Sequence, residues 1–511
     1  MTRKLASLLL ALAMVLMMVP AVSATAEADI PVIDWYFGQS EAANPDWQKV
    51  NAAINDYLAE QIGVNVNLHF WGAAEDWEKM TTMIGAGQDC GIIGFGSQTK
   101  LDYVINSQRG GYYPLEDFLN SDLGAGTKAL FSDGIWGAMT INGHIYGIPS
   151  LKDNGFYISM VYNKTMADEL KLDVNEFEFN NFQDVTEWAY KVKEARDAAH
   201  PEWADAPVLW DASGVHPYNF AVENFLNGSF FAVCNIPEIM QIESVPDTET
   251  VFNIYATPEF KEYAIQRQKA VDDGIYLYDY TDKSELLYGG QVFANVGWGY
   301  TYFQKDLWGS AVETDGRMFD KMWTDTNNFF SAGTAISSKC ANPEAAFKVL
   351  NLVNTDSKFA TMMRFGIEGT HYTRDAEGKM TFEGTANNDR SNSLYYNWYM
   401  APVGNLTIVE APEGLVGPDN IMLKKMAQYN EECILAAHMG FVFDQSVVAT
   451  EVAACISAEK EYYNDLVKGQ LADEEEVVEI IDELNAKLAA NGLQTVIDEV
   501  NKQMAAWKAA Q

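Results

Sequence analysis

Apolar and polar positions alternate with two periods along this chain, and the two periods take turns. Val32, Ile33, Trp35 and Phe37 mark a strand over residues 31–37. Trp47, Val50, Ile54 and Leu58 then recur at intervals of 3, 4 and 4, which predicts a helix with one buried face, closed by Gly63. From Val64 to Phe70 apolar and polar residues alternate, which predicts a second strand. Trp77, Met80, Met83 and Ile84 mark a second helix, and Ile92–Phe95 is a short buried strand. The order β-α-β-α-β predicts an α/β lobe on a largely parallel sheet. In such sheets ligands bind in the crevice outside the carboxyl ends of the strands. Trp35, Tyr36, Trp71, Ser97 and Gln98 fall at those ends and are candidate ligand contacts.

Further along, a turn at Asn142-Gly143 leads into a strand ending at Pro149, and Tyr157–Tyr162 is extended again. Val185, Trp188, Ala189 and Val192 predict the buried face of a helix over 185–199. Residues 200–250 are rich in turn-forming and aromatic groups, and the pattern gives them no order. Asn342-Pro343-Glu344 has the chemistry of a helix start: a capping amide, a proline at the first helical position and an acid in the first turn. From about Asp444 the tail reads as helical. Val477, Ile480, Ile481, Leu484 and Leu488 predict its packed face, with Glu475, Glu476, Glu479 and Glu483 toward water. There is no internal repeat and no low-complexity linker.

Charge changes the picture. The 511 residues carry 34 basic and 72 acidic side chains, a formal net charge of −38. That field repels nucleic acid and anionic membrane surfaces, so neither is an expected partner. The amino terminus predicts export: Arg3 and Lys4, an uncharged run from Leu5 to Val19, Pro20, and then small residues suited to cleavage after Ala24 or Ala26. The apolar run is shorter than the ~20 residues a membrane span needs. Residues 1–24 are therefore expected to be a signal peptide. No cysteine stands at the cleavage site, so no amino-terminal lipid anchor is expected. The five cysteines, Cys90, Cys234, Cys340, Cys433 and Cys455, are too few and too widely spaced for a disulfide framework, and read as buried free thiols.

Catalytic signatures are missing. There is no GxGxxG, Walker A, HExxH or GxSxG motif, and the six histidines are scattered without metal-ligand spacing. Asp272, Asp273, Asp279 and Asp282 lack EF-hand spacing. No cofactor and no metal are expected. Aromatic residues, by contrast, make up 13% of the chain, and several stand in polar or glycine-rich stretches, among them Trp298 and Tyr300 in Gly297–Tyr302 and Trp398 in Tyr395–Tyr399. Sugars present flat C–H faces that stack on rings and hydroxyls that need polar groups at the edge. The aromatic pattern thus points to a carbohydrate ligand, although packing accounts for most rings of this kind.

Several phrases carry a family resemblance. Ile141–Pro149 with Val161–Lys164, Thr334–Ser337 with Asn342–Ala346, Phe365–Tyr372, and the tail from Gly440-Phe441-Val442-Phe443-Asp444 to Trp507 resemble the extracellular family 1 solute-binding proteins. They are most similar to the oligosaccharide-import branch of Gram-positive bacteria with its carboxyl-terminal helical extension. The resemblance implies a periplasmic-binding-protein-like fold of two α/β lobes joined by several crossovers, with the ligand in the cleft between them. It implies a monomeric, extracytoplasmic subunit of an ABC importer that passes its solute to membrane permease subunits. Crossovers are expected near Pro149, Gln291 and Gly333. Lobe 1 would then comprise 25–149 plus 291–332, and lobe 2 150–290 plus 333–511. Tyr162 corresponds to a cleft tyrosine of sugar-binding relatives, and Trp298 to a region bordering the ligand. The branch usually carries a lipidated cysteine, and this chain departs from it there. Three other readings stay open: transport of a peptide or other small solute, a secreted carbohydrate-active enzyme, and a receptor subunit presenting its ligand to a membrane sensor.

Overall fold

A computed structural model describes residues 30–96, 101–152, 154–176, 182–211, 221–226, 228–239, 242–277, 285–286, 289–298, 312–318, 322–388, 393–397, 404–410 and 428–510. The chain opens with β1 (Val32–Phe37), α1 (Trp47–Ile62), β2 (Asn65–Phe70), α2 (Ala73–Gly85) and β3 (Ile92–Gly96), and after several short helices reaches β4 (Gly147–Pro149). It continues through β5 (Ile158–Asn163), α3 (Phe182–Ala199), β6 (Leu209–Asp211), the hairpin β7 (Val222–Leu226) and β8 (Ser229–Asn235), α4 (Pro258–Asp272), β9 (Tyr276–Leu277), β10 (Ala294–Trp298) and β11 (Thr314–Met318). The short β12 (Trp323–Thr324) precedes β13 (Ala332–Ile336), α5 (Pro343–Thr355) and α6 (Ser357–Phe365). Then β14 (Ile434–Leu435) leads to the final helices α7 (Ala449–Lys468), α8 (Glu474–Ala490) and α9 (Leu493–Ala509).

Two five-stranded sheets organise these elements. The first has the order β2-β1-β3-β13-β4, with β1, β2 and β3 parallel and β13 antiparallel to β3 and β4. The second has the order β9-β6-β10-β5-β11, with β9, β6 and β10 parallel and β5 antiparallel to both β10 and β11. Each sheet anchors its own core. Lobe 1 buries Ile33, Trp35 and Phe37 of β1 with Val50, Ile54 and Leu58 of α1 and Phe347, Leu350 and Val353 of α5. Lobe 2 buries Val185, Trp188 and Val192 of α3 with Val296 of β10, Val477 and Ile481 of α8, and Val496 and Val500 of α9.

The local predictions have local causes. Gly63 ends α1 in the left-handed conformation (φ 64°), which costs a residue without a Cβ nothing. Asn342 caps α5, its Oδ1 accepting from the Ala345 N–H at 3.1 Å, with Pro343 at the first helical position. All five cysteines are free, three of them buried.

Lobe boundaries differ from the expectation. The segment 291–332 was expected in lobe 1, yet β10 is the central strand of the lobe 2 sheet and β11 lies at its edge. Gln291 is not at a crossover: its carbonyl accepts from the fully buried Arg196 of α3 (3.1 Å), which also donates to the carbonyls of Ala206 (2.7 Å) and Pro207 (2.8 Å). The residues after 333 were expected in lobe 2, but β13, α5 and α6 complete lobe 1. The segment from Ile434 onward, ending in the final helices, packs on lobe 2. Glu459 of α7 ties them there, accepting from the Tyr255 hydroxyl (2.6 Å) and the Phe230 N–H (2.9 Å). Sheet membership depends on partners far away in sequence, so strand periodicity carries no signal for it.

Candidate functional site

Register defines which strand ends face the crossovers. In lobe 1, Gly96 pairs with Ala332 and Pro149 with Gly333, so the carboxyl ends of β3 and β4 meet the start of β13. In lobe 2, Trp298 pairs with Ile158 and Met318 lies opposite Ser159. The carboxyl ends of β10 and β11 therefore lie beside the start of β5. The chain passes between the lobes at these ends, the side of an α/β sheet at which ligands bind.

Three connections run side by side there. Phe156 and Trp323 exchange backbone hydrogen bonds, the Phe156 N–H to the Trp323 carbonyl at 2.6 Å and the return bond at 3.0 Å. β12 pairs in parallel with β14, through the Ile434 N–H on the Met322 carbonyl (2.8 Å) and the Ala436 N–H on the Thr324 carbonyl (2.9 Å). Each connection thus contributes one strand to a small ribbon. Phe156, Trp323, Ile434 and Ala436 pack with Ala221 and Ile236 of lobe 2, so the ribbon is seated on that lobe. Toward lobe 1 the Ser150 N–H reaches the Ala332 carbonyl (3.0 Å) and the Leu151 N–H the Gly404 carbonyl (2.7 Å). Amides bridge the stretch between. The Asn154 N–H donates to Asn430 Oδ1 (2.8 Å), Asn430 Nδ2 to the Lys152 carbonyl (2.8 Å), and Asn328 Nδ2 to the Asn154 carbonyl (2.7 Å).

On lobe 1 the carboxyl-terminal parts of β1 and β2 carry an aromatic cluster, with Tyr36 level with Ile93 of β3, three residues short of the Gly96 end. The parallel register sets Tyr36 beside His69 and Asp34 beside Asn67. Tyr36 stacks on His69 (ring centroids 4.4 Å) and lies 4.8 Å from Trp71, whose ring also receives the Lys79 ammonium at 4.6 Å. Asp34 accepts from Asn67 (2.9 Å) and sits 2.8 Å from His69 Nε2, orienting the imidazole under Tyr36. Burial, and after it the charge of Asp34, pushes the Tyr36 phenol upward, so it stays protonated as a donor. Behind this cluster the loop after β1 meets segment 393–397. Asn44 Oδ1 accepts from the Tyr396 N–H (3.0 Å) and Gln39 Nε2 donates to the Tyr396 carbonyl (3.2 Å). Gln39 Oε1 and Asn44 Nδ2 are buried with no hydrogen-bond partner among the described residues. The sequence reading passed over Gln39 and Asn44, whose only signal is their place in the polar loop following β1.

The proposed contacts are not all brought together. Tyr36 and Trp71 are neighbours, and Trp71 is partly exposed. Trp35, expected at the ligand, is 0% exposed and packs against Phe37 in the lobe 1 core, because the pleat turns odd positions of β1 inward. Tyr162, also expected at the ligand, lies opposite Ala294 at the far end of the lobe 2 sheet. Four residues of strand, about 13 Å, separate it from the Trp298 end. Its ring stacks on Phe293 and its hydroxyl donates to Asp315 (3.3 Å). Trp298 ends β10 on the crevice side, and its side chain lies outside what is described. Ser97, Gln98, Tyr300 and Trp398 lie outside the described residues. Among the described residues no group of three His, Cys, Asp or Glu is placed to hold a metal ion, and no helix is long and apolar enough to cross a membrane.

Two α/β lobes joined by three connections, with a crevice at the strand ends, are the fold of the two-lobed solute-binding proteins, and solved structures agree. The N-glycan transport solute-binding protein NgtS of Streptococcus pneumoniae superposes with a TM-score of 0.74 at 19% identity, over 93% of this chain and 98% of that one. A solute-binding protein of Bifidobacterium longum infantis, described as binding HMO, superposes with a TM-score of 0.56 at 16% identity, over 93% and 98%. By sequence, the chain is 23% identical over 497 residues to a carbohydrate ABC transporter substrate-binding protein of Streptococcus pneumoniae, covering 93% of this chain and 90% of the relative. Residues 437–509 match a domain of unknown function, DUF3502, and coincide with the final helices on lobe 2.

Proposed function

We propose that the protein is the extracytoplasmic substrate-binding subunit of an ABC importer. It captures an oligosaccharide in the crevice between its lobes and delivers it to membrane permease subunits. The observation that carries this reading is the fold shared along nearly the whole chain with a transport protein for N-glycans, combined with an aromatic and polar cluster in the carboxyl-terminal parts of β1 and β2. Rings such as Trp71 offer faces to sugar C–H groups, and the surrounding amides and carboxylates suit hydroxyls. Affinity then comes from stacking, a polar rim and closure of the lobes, with no catalytic step. The protein works as a monomer, released outside the cytoplasmic membrane by cleavage after Ala24 or Ala26.

A thermal-shift screen tests the solute class, since a ligand that binds only the folded state raises Tm with concentration. Mannose- and N-acetylglucosamine-containing oligosaccharides are the first probes, because NgtS has been solved in complex with Man5GlcNAc and Man1GlcNAc. Peptides share the plate. Shifts confined to peptides would overturn the carbohydrate assignment, and cleavage products in a chromatographic time course would replace binding with an enzyme. Once an oligosaccharide is found, Trp71→Ala and Trp298→Ala should each weaken it by about 2–13-fold in calorimetry, the worth of one stacked ring. Unchanged affinity removes the residue from the site.

A further inference from the structure

The outer edge of the lobe 1 sheet is closed by two side chains of the helix that precedes it. β2 lies at the end of the strand order and pairs on one side only, with β1. The Asn65 N–H bonds the Pro31 carbonyl (2.8 Å) and the Trp71 N–H the Phe37 carbonyl (3.0 Å), so the odd residues of β2 turn their backbone groups toward β1. Those of Val66 and Leu68 point the other way, off the sheet. Two asparagines of α1 meet them there. Asn55 brackets Val66, its Oδ1 accepting from the N–H (2.7 Å) and its Nδ2 donating to the carbonyl (3.0 Å). Asn51 spans the next step, its Oδ1 accepting from the Leu68 N–H (2.8 Å) and its Nδ2 donating to the Val66 carbonyl (3.1 Å). Each carboxamide thus offers one acceptor and one donor, as a peptide group of a neighbouring strand would. Their spacing of four puts both on one flank of α1, beside the buried stripe Val50, Ile54 and Leu58. β2 needs such a cover. An open edge is a template for pairing with another chain, and proteins blunt it with lysine, proline or a bulge. The strand Asn65–Phe70 holds neither residue, and its register with β1 runs over six successive pairs without a shift.

We propose that Asn51 and Asn55 stand in for a sixth strand and shut β2 against pairing with the β2 edge of a second copy of this chain. A strand added to an edge bonds alternate residues in succession. With Val66 engaged at both groups and Leu68 at its N–H, the outward side of β2 offers an incoming strand at most the Leu68 carbonyl and Phe70, less than two complete residues. A second copy is the partner excluded, because a two-fold axis beside β2 sets two identical edges antiparallel and closes the pair. The guard depends on the lobe 1 sheet and not on which solute the crevice takes.

The test combines sedimentation velocity with amide hydrogen exchange of the exported protein carrying Asn51→Ala and Asn55→Ala together. In dilute solution the variant should be monomeric and exchange the Val66 and Leu68 amides about 2–13-fold faster than the unmodified protein, the worth of one hydrogen bond at each. Raising the protein concentration in about 1 M salt, which screens the charge of the chain, should then produce a dimer and return protection to residues 64–70. Association through general loss of stability would not restore protection at that edge. Asn51→Asp with Asn55→Asp keeps an acceptor for each N–H group, and should stay monomeric at the same concentrations. A monomeric alanine variant, a dimer without renewed protection at 64–70, or equal dimerisation of the aspartate variant overturns the guard. The unmodified protein supplies a test that needs no variant: its Val66 and Leu68 amides should exchange as slowly as those inside the sheet, and exchange at the rate of an open edge overturns the proposal as well.

Discussion

Gly155 is where the three connections come closest, and replacing it by alanine probes the hinge with one carbon atom. A Cβ there would lie 2.3 Å from Met322 Cγ, 2.6 Å from the Trp323 carbonyl oxygen and 2.7 Å from Cys433 Sγ. Met322 and Cys433 are side chains that can turn away. The Trp323 carbonyl cannot, because it accepts the Phe156 N–H at 2.6 Å, one residue along. Relief must come from pushing β12 off the first connection, which weakens the paired bonds between Phe156 and Trp323. Overpacking of this kind costs about 1–3 kcal/mol. For a unit of 150–250 residues each kcal/mol lowers Tm by about 2–4 °C, so calorimetry should record a fall of about 5 °C. Adding Cys433→Ala should restore only part of it, since the carbonyl contact remains. Gly85→Ala, where the new Cβ meets nothing, is the control and should be neutral or stabilising by up to about 1 kcal/mol. If Gly155→Ala melts with the unmodified protein, the close packing of the connections described here is wrong.

Two further outcomes follow from buried polar groups. Glu459→Ala removes the acceptor of the Tyr255 hydroxyl and the Phe230 N–H in the lobe 2 core, a loss of about 1–3 kcal/mol, and should make α7–α9 more susceptible to limited proteolysis than lobe 1. His371 is fully buried, with Nδ1 accepting from the Ile367 N–H (3.0 Å) and Nε2 toward Asp46 (3.5 Å). Burial holds its pKa below the usual histidine value, with Asp46 opposing. The unfolded chain therefore binds a proton that the folded protein refuses. The contribution of His371 to stability is complete above the unfolded pKa of about 6.5 and is lost as pH falls below it. Denaturant titrations of His371→Asn, which keeps an acceptor, should lack this loss on acidification, and an identical pH profile in both proteins would contradict the assignment.

Much of the local structure is written in the spacing of residues. The stripe Val50, Ile54 and Leu58 faces the lobe 1 core, and Val477, Ile481, Leu484 and Leu488 face the lobe 2 core, because a helix sorts its faces through its own period whatever it packs against. The caps at Gly63 and Asn342 are equally local, and the succession of such elements predicts an α/β first lobe, whereas the second lobe was implied by the family resemblance. What the tertiary structure alone decided is pairing and direction. β10 and β13 are both short buried strands, and only their distant partners assign one to each lobe. β1 is buried on both faces over Trp35–Phe37, so hydrophobicity could not separate the ring of Trp35 from that of Tyr36, whereas the pleat sends them to opposite faces, Tyr36 beside His69 and Trp71. Tyr162 stands four residues into a strand that runs away from the crevice, and an antiparallel partner fixes that direction. The hinge is legible least of all: Asn154, Asp325, Asn430 and His438 are ordinary polar residues from three separate stretches of the chain, and only the side-by-side course of the three connections brings those stretches together.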